Sequence, residues 1–228
     1  MGARGFHLFR SRDVNAPPPP SYLTRPDPAY GAVRQVESTG RQQTDSLQVT
    51  VRGRLSSWFN GQMQYTLSRG YNDTNGIGSF PANDYDVSDE WARADFDRRH
   101  RFNLLGRTNV VKLVDVGIGL AMNTGGPYNE TLGLDLFNNG RGRARPAGVP
   151  RNSLQTTGFA SLDLRASRGL KLGAGKEARE ITFGFDAFNV LNRVNYASFV
   201  GTLGSPLYGR PVSARPARQL QFSARMKF

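Results

Sequence analysis

Apolar and polar residues alternate one for one through long stretches of this chain, most plainly at its end. From Gln219 the odd positions are Gln219, Gln221, Ser223, Arg225 and Lys227, and the even ones are Leu220, Phe222, Ala224, Met226 and Phe228. Successive side chains of an extended strand point to opposite faces, so this segment has one polar and one apolar face. Upstream, Leu47, Val49 and Val51 alternate with Gln48, Thr50 and Arg52; Met63, Tyr65 and Leu67 alternate with Gln62, Gln64, Thr66 and Ser68. Phe102, Leu104 and Gly106 alternate with Asn103 and Arg107, although Leu105 breaks the polar face. Val116, Ile118, Leu120 and Met122 repeat the pattern, as do Leu162 and Leu164 against Asp163 and Arg165. Ile181, Phe183, Phe185 and Ala187 do so too, with Phe188 out of step.

The alternation predicts seven strands, at about residues 44–56, 60–72, 98–111, 115–126, 157–170, 179–191 and 216–228, with Ala32 to Glu37 as a short eighth. Most are 11 to 14 residues long. Strands of water-soluble sheets usually run to about 5 or 6, whereas a tilted membrane strand needs about 9 to 11. The connections alternate as well. Ser57 to Phe59, Lys112 to Val114 and Lys171 to Lys176 are short turns, while Tyr71 to Asp97, Gly126 to Thr156 and Asn192 to Ala214 are long and rich in Gly, Pro, Asn and Arg. Short turns on one side and long loops on the other is the layout of bacterial outer-membrane barrels. The fold class expected is therefore all-β, an antiparallel transmembrane β-barrel segment. Seven strands cannot close such a barrel, and open edges in lipid are prohibitive, so a piece of a larger barrel is expected. Residues 1–43 read as a loop-rich N-terminal segment, in which Ala16 to Pro20 can be neither helix nor strand interior, and residues 44–228 as the barrel strands.

Composition narrows the picture. The 228 residues have a mean hydropathy of −0.50 and contain no apolar run near the roughly 18 to 20 residues of a spanning helix. A helical membrane protein is excluded, but a barrel is not, because its two faces average out. Residues Met1 to His7 offer no apolar core for a signal peptide, so export is expected to rely on a segment outside this sequence. There is no cysteine, which removes disulfides, thiolate metal sites and cysteine nucleophiles. The net charge of +12 raises nucleic acid as a partner, but the arginines are scattered from Arg4 to Arg225 without a basic helix. They fit a polar lumen and lipid headgroups instead, and nucleic acid is not expected.

Specific residues then resemble a family. They include Gln35 to Gly40 leading into Asp45 to Val49, Tyr65 to Ser68 with Asn72 and Asp73, Asp97 to Phe102, Gly126 to Tyr128, and Arg145 to Ser153. Leu162 to Arg165, Phe188 to Asn192, and Pro216 to Gln221 up to Phe228 complete the set. In order and spacing they resemble the C-terminal barrel of TonB-dependent receptors, in particular the Oar-like group with an N-terminal carboxypeptidase-regulatory-like domain. That resemblance implies a 22-stranded barrel with an N-terminal plug, taking up a scarce nutrient on energy passed by TonB. It implies the outer membrane of a Gram-negative bacterium, with outer-membrane lipid and the barrel-assembly machinery as partners, and TonB through a plug region that this sequence lacks. The final strand, with Leu220, Phe222, Met226 and the terminal Phe228, resembles the assembly signal read by that machinery.

No catalytic set is found, and no cofactor is expected. His7 and His100 are the only histidines, too few for a triad or a His-rich metal site. Gly173 to Ala178 matches a dinucleotide fingerprint but links two strands, which makes it a glycine turn. Asp135 to Gly140 and the group Asp84, Asp86, Asp89 and Glu90 offer carboxylates; a polar turn and a hydrated loop balanced by Arg93, Arg98 and Arg99 are expected there. Alternation assigns Gln48, Arg52, Arg107, Asp163, Arg165 and Arg225 to the lumen. A small self-contained outer-membrane barrel and a soluble or surface β-sandwich that binds partners are the competing readings.

Overall fold

The computed structural model describes residues 1–108, 114–173 and 179–227. Its strands, in chain order, are β1 (Gly2–Asp13), β2 (Arg34–Ser56), β3 (Phe59–Asn72), β4 (Ala92–Arg93), β5 (His100–Thr108), β6 (Asp115–Asn123) and β7 (Pro127–Tyr128). There follow β8 (Leu154–Gln155), β9 (Phe159–Leu172), β10 (Arg179–Phe188), β11 (Tyr196–Phe199), β12 (Pro211–Ala214) and β13 (Gln219–Lys227). Eight long strands make one antiparallel sheet in the order β1-β2-β3-β5-β6-β9-β10-β13, and the short ones decorate the loops. No helix among the described residues is long and apolar enough to cross a membrane.

The register carries one apolar face across seven strands. Val51 lies opposite Met63, Met63 opposite Leu104, Leu104 opposite Leu120, and Leu120 opposite Leu162. Leu164 lies opposite Ala187, which lies opposite Leu220. Large apolar side chains on this face stay open, Phe222 at 79% and Leu47 at 59% exposure, while the buried hydrophobic side chains of the described residues are alanines alone. A soluble sandwich would cover such a face with a second sheet. Here no second layer covers it, and lipid is the medium that satisfies it. On the same face the Phe59 ring lies over Gly61 and Gly106. A Cβ on Gly106 would stand 2.1 Å from that ring, so the glycine provides the room that the aromatic fills.

Two expectations need correction. The segment 1–43, read as loop-rich, contains β1, and β2 begins at Arg34 rather than 44. Alternation hides β1 because the register slips between Gly5 and Leu8, where His7 takes a positive φ of 58°, and a bulge resets the period of two. The early part of β2, Arg34 to Asp45, is polar on both faces and pairs with β1 beyond the apolar band. With eight strands the count is even, and the argument from an odd number falls. The edges remain open all the same. β1 pairs with Arg34–Asp45 only, so the stretch of β2 that carries Leu47, Val49 and Val51 pairs with β3 alone among the described residues. Of the expected short turns, residues 112–113 of the one at Lys112 to Val114 and 174–176 of the one at Lys171 to Lys176 lie outside the described residues.

Candidate functional site: a polar wall under a charged loop cap

The polar face of the sheet brings together all six residues that alternation assigned to a lumen. Arg107 is opposite Gly117, Gly117 opposite Arg165, Arg165 opposite Asp186, and Asp186 opposite Gln221. Arg52 joins through Gln62, Leu105 and Gly119 to Asp163, and Gln48 through Thr66 to Arg101. Arg225 faces the same side opposite Thr182. Leu105 and Phe188 share this face, the two interruptions visible in the sequence. Of the five arginines named here, only Arg165 has an acidic partner among the described residues, Asp186 at 3.7 Å. Arg52, Arg107 and Arg225 have no ion pair among the described residues, which leaves the wall with a cationic excess. Asp163 is held in place, accepting from the Ser161 hydroxyl and the Asn189 amide, both at 2.8 Å. Leu220, Phe222 and Met226 point to the opposite, apolar face, where Phe222 packs against Phe185 at 4.9 Å between ring centroids. Phe228, the last of the expected assembly residues, lies outside the described residues.

At the end of the sheet opposite the short turns, the long loops 14–33, 73–99 and 124–158 fold onto each other. Their cores are ionic. Asp13, 1% exposed, takes Arg25 at 3.2 Å and Arg141 at 3.7 Å, and Arg141 also pairs with Asp84. Arg10 bonds Asp73 at 2.8 Å and Arg145 bonds Glu90 at 3.0 Å. Arg151 donates to the Asn72 carbonyl at 2.7 Å and to the side chains of Asn72 and Asn75. Asn152 donates to the Arg93 carbonyl at 2.7 Å and to Asp95 at 2.6 Å. Burial raises the pKa of Asp84 against the pull of Arg141, and the same desolvation lowers those of Arg141 and Arg151. Tyr208 donates to Glu130 at 2.9 Å, which fastens loop 189–218 to its neighbour.

This corrects the balance expected for the acidic group in 84–90. Its partners are Arg141, Arg145 and Arg151, more than fifty residues away, not Arg93, Arg98 and Arg99. Arg93 instead pairs with Asp97 at 3.0 Å, and Arg98 donates to the Asp95 and Asp97 carbonyls. Asp86 caps the Ser88 amide at 2.9 Å, and Asp135 accepts from the Asn139 and Gly140 amides, a carboxylate-capped turn. His100 meets the Tyr65 hydroxyl at 2.8 Å, far along the sheet from His7 on β1. Sequence reasoning did not find Arg10, Asp13 or Arg141, and it met Asp73 and Arg151 only within the family motifs, without a role. The one signal they leave is a supply of arginines and carboxylates inside loops that a solvated tip would not need.

Alternating faces, strict alternation of short and long connections, and an apolar band with no covering layer define the wall of an outer-membrane β-barrel. Comparison with family models agrees. Residues 1–110 match the family model described as an outer membrane beta barrel domain, and the sheet continues from β5 into β6 without a break in pairing. No curated protein matches the chain. Among solved structures it is similar to the ferric-catecholate import receptor Fiu from E. coli K12, at 14% identity and a TM-score of 0.48. The match covers 83% of this chain but 22% of that one, so the chain spans about a fifth of that receptor's length. The matched domain, over a little under half of the chain, points to the outer membrane of a Gram-negative bacterium.

Proposed function

We propose that this chain is the C-terminal barrel portion of a TonB-dependent outer-membrane receptor of the Oar-like group, which takes up a nutrient and catalyses no reaction. The observation that carries it is the open sheet. Unpaired backbone groups at membrane depth cost several kcal/mol each, so the edges of β2 and β13 require further strands. Among the described residues the edge of β2 along Leu47 to Ser56 pairs on the β3 side alone, and β13 pairs with β10 alone. A larger barrel also gives the polar wall a passage to line, with Gln48, Arg52, Arg107, Asp163, Arg165 and Arg225 facing it. The motifs from Gln35 to Phe228 support the family assignment, with TonB reached through a plug and β13 serving as the assembly signal.

The test is genetic. A strain lacking this gene and a strain lacking TonB are grown on a panel of single nutrients. The expected result is at least one nutrient on which both fail and the double mutant is no worse than either. If the gene-deletion strain matches wild type on every nutrient that defeats the TonB mutant, the uptake reading is lost.

A further inference from the structure

The loop cap frames an open-sided cavity of about 460 Å³ where the end of β1 meets loops 73–99 and 124–158, within the roughly 300 to 1,000 Å³ of small-molecule sites. Four guanidinium groups line it, from Arg10, Arg143, Arg145 and Arg151, against the carboxylates of Asp73 and Glu90, an excess of two positive charges. Arg10 and Arg151 are 5% and 3% exposed; among the described residues the Nε–H of Arg10 has no hydrogen-bond acceptor, and that of Arg151 has only the Glu90 carboxylate, at 3.8 Å and beyond hydrogen-bond reach. Native interiors satisfy buried donors, and one left over asks for an acceptor from elsewhere. Arg143 reaches only the Ser79 hydroxyl, at 3.4 Å, and has no carboxylate within ion-pair distance among the described residues. The rest of the lining is neutral, polar at Thr74, Asn75, Asn129 and Thr131 and apolar along Phe80 to Ala82. Burial lowers the pKa of Arg151, outweighing the carboxylate of Glu90 beside it.

We infer that this cavity is a binding site for a small polyhydroxylated oxyanion, of the sugar-phosphate or sugar-acid class. A planar guanidinium matches the paired oxygens of a carboxylate or phosphate, and the burial of Arg10 and Arg151 strengthens such bonds. Hydroxyl and amide side chains beside them suit the hydroxyls of the same molecule. The inference rests on the uptake reading, since it names what the receptor would collect, but its readout is separate. Binding without a growth phenotype would sink uptake and leave the site, whereas a growth phenotype without binding would do the reverse.

The experiment is calorimetric titration of the protein extracted in detergent from native outer membranes. The probes are glucose 6-phosphate, glucuronate and inorganic phosphate, with maltose as the uncharged control. Glucose 6-phosphate or glucuronate should bind with a Kd below about 1 mM while maltose shows no heat. Arg143→Gln, at a side chain outside the ion pairs of the cap, should raise that Kd about tenfold or more, the loss of one charge-assisted contact. Thr131→Val, which tests the hydroxyl lining, should raise it to a smaller degree. The inference is overturned if no anion binds, if Arg143→Gln leaves the Kd unchanged, or if inorganic phosphate binds as tightly as the sugar anions. Displacement of the bound sugar by lipopolysaccharide at matching affinity would assign the site to lipid headgroups and overturn the soluble ligand.

Discussion

The sheet and the loop cap solve the same problem, placing polar groups out of reach of bulk water, with opposite materials. At membrane depth the strands hold no buried hydrophobic core; they present Leu120, Leu162 and Leu164 to lipid and Arg107, Arg165 and Arg225 to the polar side. In the cap the interior is charged, with Arg10, Asp13, Asp73, Asp84, Glu90 and Arg151 each below 7% exposure. A barrel wall borrows its apolar environment from the bilayer, so it can afford a polar inside. The cap has no such neighbour and few apolar residues to spend. It is held by pairing of opposite charges, which fixes one geometry because a misplaced partner leaves a buried ion alone.

Breaking the cap should therefore be local and large. Arg151→Ala removes the bonds to Asn72 and Asn75 and leaves Glu90 with one arginine instead of two. Loss of one member of a buried ionic cluster costs about 3 to 5 kcal/mol. Hydrogen exchange should accelerate in loops 73–99 and 124–158 while the amides of β6 and β9 keep their protection. Equal loosening of the strands would mean that cap and sheet are a single cooperative unit, and the contrast drawn here would fail.

The wall is sharpened by two neighbours on β9. Leu164 lies in the apolar row between Ile118 and Ala187, and Arg165 is the next residue, on the polar face. Leu164→Arg puts a charge into lipid and should cost about 2 to 4 kcal/mol. Arg165→Ala, at a side chain 64% exposed whose partner sits at 3.7 Å, should stay within about 0.5 kcal/mol. Urea unfolding in lipid vesicles measures both. Similar costs at the two positions would mean that the faces have been assigned wrongly.

How much of this was readable from the chain follows the same division. Alternation is a signal of two unlike solvents, and it appears where they meet: β3, β5, β6, β9, β10 and β13 were found within a few residues of their ends. It fades where both faces leave the bilayer, so the upper part of β2 went unread past the possible short strand at Ala32 to Glu37, and β1, with its bulge at His7, went unseen. The six polar-wall residues were legible because period two assigns a face without knowledge of the fold. Arg151 and Asn72 were not, because they stand 79 positions apart and no local periodicity relates two loops.

The smallest effect expected concerns Asp84. Desolvation holds its pKa above 3.8 in the folded cap, outweighing the Asp13 amide that donates to it and the Arg141 charge beside it. A carboxyl with a raised folded pKa keeps its proton better folded than unfolded. Its contribution to stability is fully present below 3.8 and is lost as pH rises through the higher folded value. The cap should thus resist limited proteolysis slightly better at the acid end of that window than at neutral pH, so long as the other carboxylates remain ionised. Asp84→Asn stands in for the protonated form and should flatten this dependence while weakening the cap at every pH, since Arg141 then keeps only Asp13 at 3.7 Å. A variant that retains the wild-type pH slope would show that another group sets it. In that case charge pairing at Asp84 is complete, and the cap is better compensated in this corner than around Arg10 and Arg151.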